Sequence, residues 1–198
     1  MMKPRPSTIG LWGTVVLSSL AAGATPDRIR DLNGRWLTPF QPSGRANVLF
    51  FVSTDCPISN SYAPEIQRLC EHYGSKGVGC SLLYEDVPPD AAAVRKHLDE
   101  YRYRDRGIAA AVDGKRTLAR AAHASITPEA VVVDSTGAIR YRGRIDDRYA
   151  ALGQRRQQAS THDLSAALDA VLSGSPVLTP ETQAVGCSIV APTVAPTR

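Results

Sequence analysis

The stretch that most constrains this chain is Asn47–Thr54, NVLFFVST. It is continuously apolar, β-branched and aromatic, without the alternation of a strand that has one wet face. A run of this kind predicts a strand buried on both sides, and hence a sheet covered by further layers. It ends at Asp55-Cys56-Pro57. Proline suits the first turn of a helix, where its missing N–H costs nothing. Beyond it Ile66, Leu69, Cys70 and Tyr73 fall at i, i+3, i+4 and i+7, one apolar helix face, and Gly74 and Gly77 close the helix. The strand therefore delivers Cys56 to the start of a helix.

The alternation continues along the chain. Val78–Asp86 (VGCSLLYED) reads as the next strand, and Asp90 is a natural N-cap for a helix with the face Val94, Leu98, Tyr101. Ile108–Gly114 is a weaker strand and turn, and Arg116–Ala124 a short alanine-rich helix. Ile126–Asp134 is a strong strand that opens on Thr127-Pro128, and Ser135–Gly143 supplies a turn and return strand. Asp163–Gly174 carries the clearest helical face, Leu164, Ala167, Leu168, Val171 and Leu172. Strands alternating with helices and closing on a hairpin predict an α/β domain with a central mixed sheet flanked by helices. It spans 25–174, and a proline- and threonine-rich C-terminal extension, 175–198, carries Cys187.

The N-terminus reads as a targeting segment. Lys3 and Arg5 precede an uncharged apolar stretch, Ile9–Ala22, and Ala22-Gly23-Ala24 is a small-x-small site. The expectation is a signal peptide over 1–24, cleaved after Ala24, and a periplasmic or secreted product. Membrane association follows only if the segment is retained. In an exported chain disulfides persist. The four cysteines, Cys56, Cys70, Cys80 and Cys187, include no C-x-x-C pair, which excludes a zinc ribbon and a dithiol motif. The formal net charge is +4, two of the positive charges lying at Lys3 and Arg5, and the densest basic cluster, Arg140, Arg142, Arg144, Arg148, Arg155 and Arg156, reads as a solvated basic face. No aromatic platform accompanies them, and no nucleic-acid partner is expected.

The chain resembles the thioredoxin-like redoxin family, which takes in peroxiredoxins of the alkyl hydroperoxide reductase/thiol-specific antioxidant type and exported thioredoxin-like oxidoreductases. The likeness rests on four stretches in order: DLNG at Asp31–Gly34, VLFFVSTDCP, ITPEAVVVD and the hairpin VVVDSTGAIRYRG. The resemblance implies a thioredoxin-like fold, a cis peptide before Pro128, and a Thr127-Pro128 loop that binds a substrate backbone beside the Cys56 thiol. It implies thiol-disulfide oxidoreductase chemistry, with peroxide reduction as a related activity. The partners would be a protein thiol or disulfide, or a peroxide, and an external thiol reductant. No cofactor is implied.

A thiol at a helix start lies near free backbone N–H groups that favour thiolate, and thiolate is the nucleophile. Cys56 is therefore the candidate catalytic residue. The position three residues on, where thioredoxins have a second cysteine, is Ser59, which cannot resolve a mixed disulfide. Ser53 stands where peroxiredoxins carry Thr or Ser, but the loop facing the thiol has no arginine, leaving Arg142 or Arg144 as substitutes. Cys187 lies in AVGCSI after the last helix, and redoxins do resolve their nucleophile from a C-terminal segment, so a Cys56–Cys187 pair leads the pairings. Cys70 and Cys80 read as core residues, with a Cys70–Cys80 disulfide as the alternative.

Other titratable residues have blander readings. His72, His97, His123 and His162 show no ligand spacing and read as surface histidines; position 60, where a C-x-x-x-C copper site needs its second cysteine, is Asn. Asp146 and Asp147 read as a solvated turn or ion-pair patch. Asp55 and Glu65 are near enough in sequence to raise the pKa of Cys56. From a different class comes a non-enzymatic module that holds copper(I) or a partner protein through Cys56 and Cys187.

Overall fold

The computed structural model describes residues 28–86 and 88–189. The signal segment 1–24 and its cleavage point lie outside the described residues. In chain order the elements are β1 (Ile29–Arg30), β2 (Trp36–Leu37), β3 (Ala46–Val52), α1 (Pro57–Ser61), α2 (Ala63–Gly74), β4 (Val78–Tyr84), α3 (Ala91–Glu100), β5 (Ala109–Val112), α4 (Thr117–Ala122), β6 (Ile126–Thr127), β7 (Glu129–Asp134), β8 (Ile139–Gly143), β9 (Tyr149–Ala151), β10 (Gln154–Arg155), α5 (Asp163–Ser173) and β11 (Cys187–Ser188).

A five-stranded sheet in the order β5-β4-β3-β7-β8 forms the centre. β3, β4 and β5 are mutually parallel, while β7 and β8 run antiparallel to their neighbours. This is the mixed sheet flanked by helices that the sequence predicts. The pleat explains the unbroken apolar run of β3. Val48, Phe50 and Val52 point into a core shared with α2, α3 and α5, through Ile66, Leu69, Val94, Leu98, Leu164 and Leu168. Leu49 and Phe51 point the other way, into a core with Leu118 and Ala122 of α4 and Val131 and Val133 of β7. Each residue of the strand loses water to one layer or the other.

Four local features depart from the sequence reading. The single helix expected after Cys56 is two helices broken at Tyr62, because Pro64 in the first turn of α2 has no N–H to give the carbonyl four residues back. Cys70 and Cys80 are not unpaired core thiols: they form a disulfide, with Cα atoms 5.7 Å apart, that ties α2 to β4. His97 is buried, not superficial, sharing hydrogen bonds with the Tyr84 hydroxyl at 2.9 Å and Asn60 Oδ1 at 2.8 Å. Asp146 and Asp147 are buried as well. Asp146 accepts from the Tyr62 hydroxyl and pairs with Arg148, and Asp147 caps the backbone of Ser160 and Thr161 and pairs with Arg156.

Most arginines of the supposed basic face are likewise committed, Arg155 alone of the six having no carboxylate partner among the described residues. Arg140 pairs with Asp134, Arg142 with Glu129 and Glu181, and Arg144 with Asp163. The stretch 175–189 folds back on the domain, where Arg142 and Glu181 form a bridge along the outer edge of β8. No helix among the described residues is long and apolar enough to cross a membrane.

Candidate active site

β3 and β4 run in parallel register, Val52 beside Tyr84, so the residues that follow each strand emerge at one end of the sheet. Ser53–Cys56 leave β3 there and Glu85–Asp86 leave β4. Cys56 occupies the N-cap of α1 in extended conformation, Pro57 begins the helix, and the thiol is 1% exposed. Facing it is the loop between β6 and β7, where the Thr127–Pro128 peptide is cis. Cys56 Sγ donates to the Thr127 carbonyl at 3.0 Å.

β11 completes the enclosure. It pairs antiparallel with β6, Cys187 opposite Thr127 and Ser188 opposite Ile126, and Ile189 N donates to Ser125 O at 2.8 Å. The Thr127 hydroxyl donates to Cys187 O at 3.3 Å. This ladder brings the Cys187 thiol beside Cys56, and both thiols are free.

The two sulfurs are electrostatically unequal. Burial pushes the Cys56 pKa up, but the polar hydrogens around the sulfur, those of the Cys187 thiol, the Ser59 N–H and hydroxyl and the Thr127 hydroxyl, outweigh it, so the net shift is downward. Ser59 Oγ is buried and has no hydrogen-bond partner among the described residues, which leaves its hydroxyl to turn to the sulfur. Cys187 moves the other way, to about 12, through burial first and then its bond to Cys56 and the negative charges of Cys56 and Asp55. The surroundings thus favour Cys56 over Cys187 as the thiol that ionises first.

Of the residues singled out from the sequence, the structure brings together Cys56, Cys187, Thr127, Pro128 and Ser59. Ser53 lines the cavity beside Cys187, but its hydroxyl is taken up by carboxylates, Asp55 and, at 3.2 Å, Asp86. Arg142 and Arg144 are held by the carboxylates named above and do not serve the thiol as peroxiredoxin-like substitutes. Glu65 pairs with Arg68, and Asp55 acts on Cys187, so neither raises Cys56 in the way the spacing implied. His162 meets Glu65 and Asp146, their ligand atoms within 4.8 Å of one another, a grouping the linear spacing hides. Asp146 is already engaged there by Tyr62 and Arg148.

Two residues that the sequence did not flag stand beside the thiols. A cavity of about 220 Å³ is lined by Asp55, Glu85, Arg116, Thr127 and Cys187 among others. Glu85 is 5% exposed and neither carboxylate oxygen has a partner. Burial, with the Asp113 charge adding to it and Arg116 opposing, raises its pKa to about 9, so the carboxyl is protonated at neutral pH. Arg116 is also buried, with Nη2 on Glu85 O at 3.4 Å. The available signal was a charged pair ending an apolar strand, Leu82-Leu83-Tyr84-Glu85-Asp86, level with the end of the strand that carries Cys56.

No protein-family model matches the sequence, and no curated protein does. Solved structures do. An uncharacterized conserved protein from Geobacillus kaustophilus is similar at a TM-score of 0.71 and 25% identity, over 85% of this chain and 89% of that one. A secreted Mycobacterium tuberculosis disulfide oxidoreductase homologous to E. coli DsbE is similar at 0.52 and 16%, over 72% and 94%. A thioredoxin-like protein from Aeropyrum pernix is similar at 0.52 and 15%, over 74% and 88%. The fold is thioredoxin-like. At these identities the likeness speaks to architecture and leaves the reaction to the site itself.

Proposed function

We propose that this thioredoxin-fold chain is a redoxin-type thiol-disulfide oxidoreductase with Cys56 as nucleophile and Cys187 as resolving thiol. The observation that carries the reading is the pair itself: two free thiols from distant parts of the chain, brought side by side by the β6–β11 ladder, Cys56 with its pKa shifted down and Cys187 with its pKa shifted up. The Cys56 thiolate attacks one sulfur of a substrate disulfide. That S–S bond breaks, a mixed disulfide forms, and the other substrate sulfur leaves as thiolate and takes a proton from water. Cys187 attacks Cys56 Sγ, the Cys56–substrate S–S bond breaks, and the proton Cys187 gives up passes to the expelled second substrate sulfur. The substrate is reduced by two electrons and the protein carries a Cys56–Cys187 disulfide. An external dithiol reductant returns it to the starting state. Thr127 and Pro128 form the wall against which the substrate backbone lies, and Ser59 supports the thiolate.

Disulfide exchange fits the site better than peroxide reduction, because the Ser53 hydroxyl is engaged by Asp55 and the two candidate arginines are paired elsewhere. Export is part of the proposal. It rests on the pattern of residues 1–24 and on the Cys70–Cys80 disulfide, which an oxidising compartment preserves.

Reduction of an insulin-type protein disulfide by purified mature protein tests the reading. Cys56→Ser abolishes turnover. Full turnover by Cys56→Ser refutes the proposal.

A further inference from the structure

The C-terminal segment is fastened unequally at its two ends. At Pro180–Thr182 it is bound to β8. Arg142 N donates to Pro180 O at 2.9 Å, Thr182 N donates to Arg142 O at 3.0 Å, and Arg144 N donates to Thr182 Oγ1 at 3.1 Å. Thr182 also shares a hydrogen bond with the Tyr141 hydroxyl at 2.6 Å, and Glu181 pairs with Arg142. Gly143 lets the two backbones meet: a Cβ there would lie 2.2 Å from Thr182 Oγ1. Among the described residues the tip, Cys187–Ile189, is held by a two-residue ladder, the Thr127 hydroxyl on Cys187 O at 3.3 Å and the Ile189 bond, and Ser188 is exposed. This lighter end sits on the Ser125–Thr127 backbone, beside a thiol that is 1% exposed.

We propose that residues 186–189 form a displaceable strap that occupies the Ser125–Thr127 edge as an extended, cysteine-bearing strand, and that an external protein disulfide reaches Cys56 only when the strap lifts. The proposal rests on the oxidoreductase reading for the identity of the incoming strand, but closure of the strap over Cys56 stands on geometry alone. Gly186 marks how closely the strap is laid down. A Cβ at this position would fall 2.0 Å from Thr127 O, backbone that cannot step aside cheaply, so only glycine permits the observed contact. Glu181 and Thr182 remain attached while the tip detaches, and the tip then returns Cys187 to the mixed disulfide. One segment is thus both the gate to the nucleophile and the carrier of the resolving thiol.

The test measures alkylation of Cys56 by iodoacetamide in protein with Cys70–Cys80 intact, read by peptide mass. Four forms are compared: full-length Cys187→Ser, Cys187→Ser with Gly186→Ala, a chain ending at Val185, and Cys187→Ser ending at Ile189. Far-UV circular dichroism and thermal melting check folding. The chain ending at Val185 reacts about tenfold or more faster than Cys187→Ser, since local opening no longer precedes attack. Gly186→Ala, which keeps the whole chain, is also faster, and the form ending at Ile189 stays slow. Equal rates in Cys187→Ser, the Gly186→Ala form and the folded chain ending at Val185 overturn the strap. Fast alkylation of the shortened chain, with no insulin reduction by wild type, sustains the strap and refutes the oxidoreductase reading. Equal alkylation with insulin reduction does the reverse.

Discussion

Thr127 stands opposite Cys187 in the β6–β11 ladder, and its carbonyl accepts the Cys56 thiol at 3.0 Å. A single residue therefore registers both sulfurs, and the two-residue strand it pairs with fixes which thiol meets Cys56. The chemistry of the pair follows from this placement, and each consequence can be measured.

Cys187→Ser separates the two half-reactions. Attack by Cys56 survives, but the mixed disulfide no longer has its internal resolving thiol. The variant accumulates a covalent adduct with a model protein disulfide, visible as a mass increase that a reductant reverses, and its multiple-turnover rate falls at least about tenfold.

The pH dependence of alkylation reports the electrostatics. With Cys187 present, Cys56 titrates below the ordinary thiol value, so its alkylation rate levels off at a lower pH than that of a free cysteine. Cys187→Ala removes a hydrogen bond to the thiolate and moves the midpoint upward. A midpoint that stays in place or moves down on this substitution contradicts the assignment of Cys187 as the donor.

Glu85 couples stability to pH. It holds its proton to about pH 9 in the folded chain against 4.5 as the ordinary value, so the folded state binds more protons than the unfolded between those limits. Stability therefore declines as pH rises from about 4.5 to about 9. Glu85→Gln keeps the shape without the ionisable group and flattens that slope. At pH 7 the variant is more stable by up to about 3 kcal/mol in denaturant titrations, and the two chains converge near pH 4.5.

The Cys70–Cys80 disulfide closes a short loop, with a sequence separation of 10. Replacing both cysteines by alanine costs about 2–3 kcal/mol by the loop-entropy relation, read as a lower denaturant midpoint. Because the bridge lies between α2 and β4, away from Cys56, the double variant keeps its reactivity toward iodoacetamide.

Much of this fold is legible in the sequence because the physics is local. The unbroken apolar run of β3, the i, i+3, i+4, i+7 face beginning at Ile66 and the turn at Ser135–Gly143 each announce their element, and Cys56 is marked by its place between a buried strand and Pro57. Pairings across the chain are less legible. Cys70 reads as core packing because its helical face is apolar whether or not its sulfur is bonded to Cys80. Arginines read as a basic face because the carboxylates that neutralise them, such as Glu129 for Arg142 and Asp163 for Arg144, are distant in sequence or on another element. Glu85 escapes notice because its burial depends on the register of β4 against β3 and on Arg116 arriving from the start of α4. His97 escapes for a similar reason, its partners Tyr84 and Asn60 lying on other elements.

The central claim is that Cys56 and Cys187 exchange electrons as one pair. The most direct measurement is a non-reducing peptide map of the mature protein after one equivalent of a small disulfide oxidant. The account predicts one new cross-linked peptide joining Cys56 to Cys187, two hydrogens lighter than the reduced pair, with Cys70–Cys80 unchanged. Recovery of Cys187 as a free thiol while Cys56 is bound to the oxidant or to a second chain would contradict it.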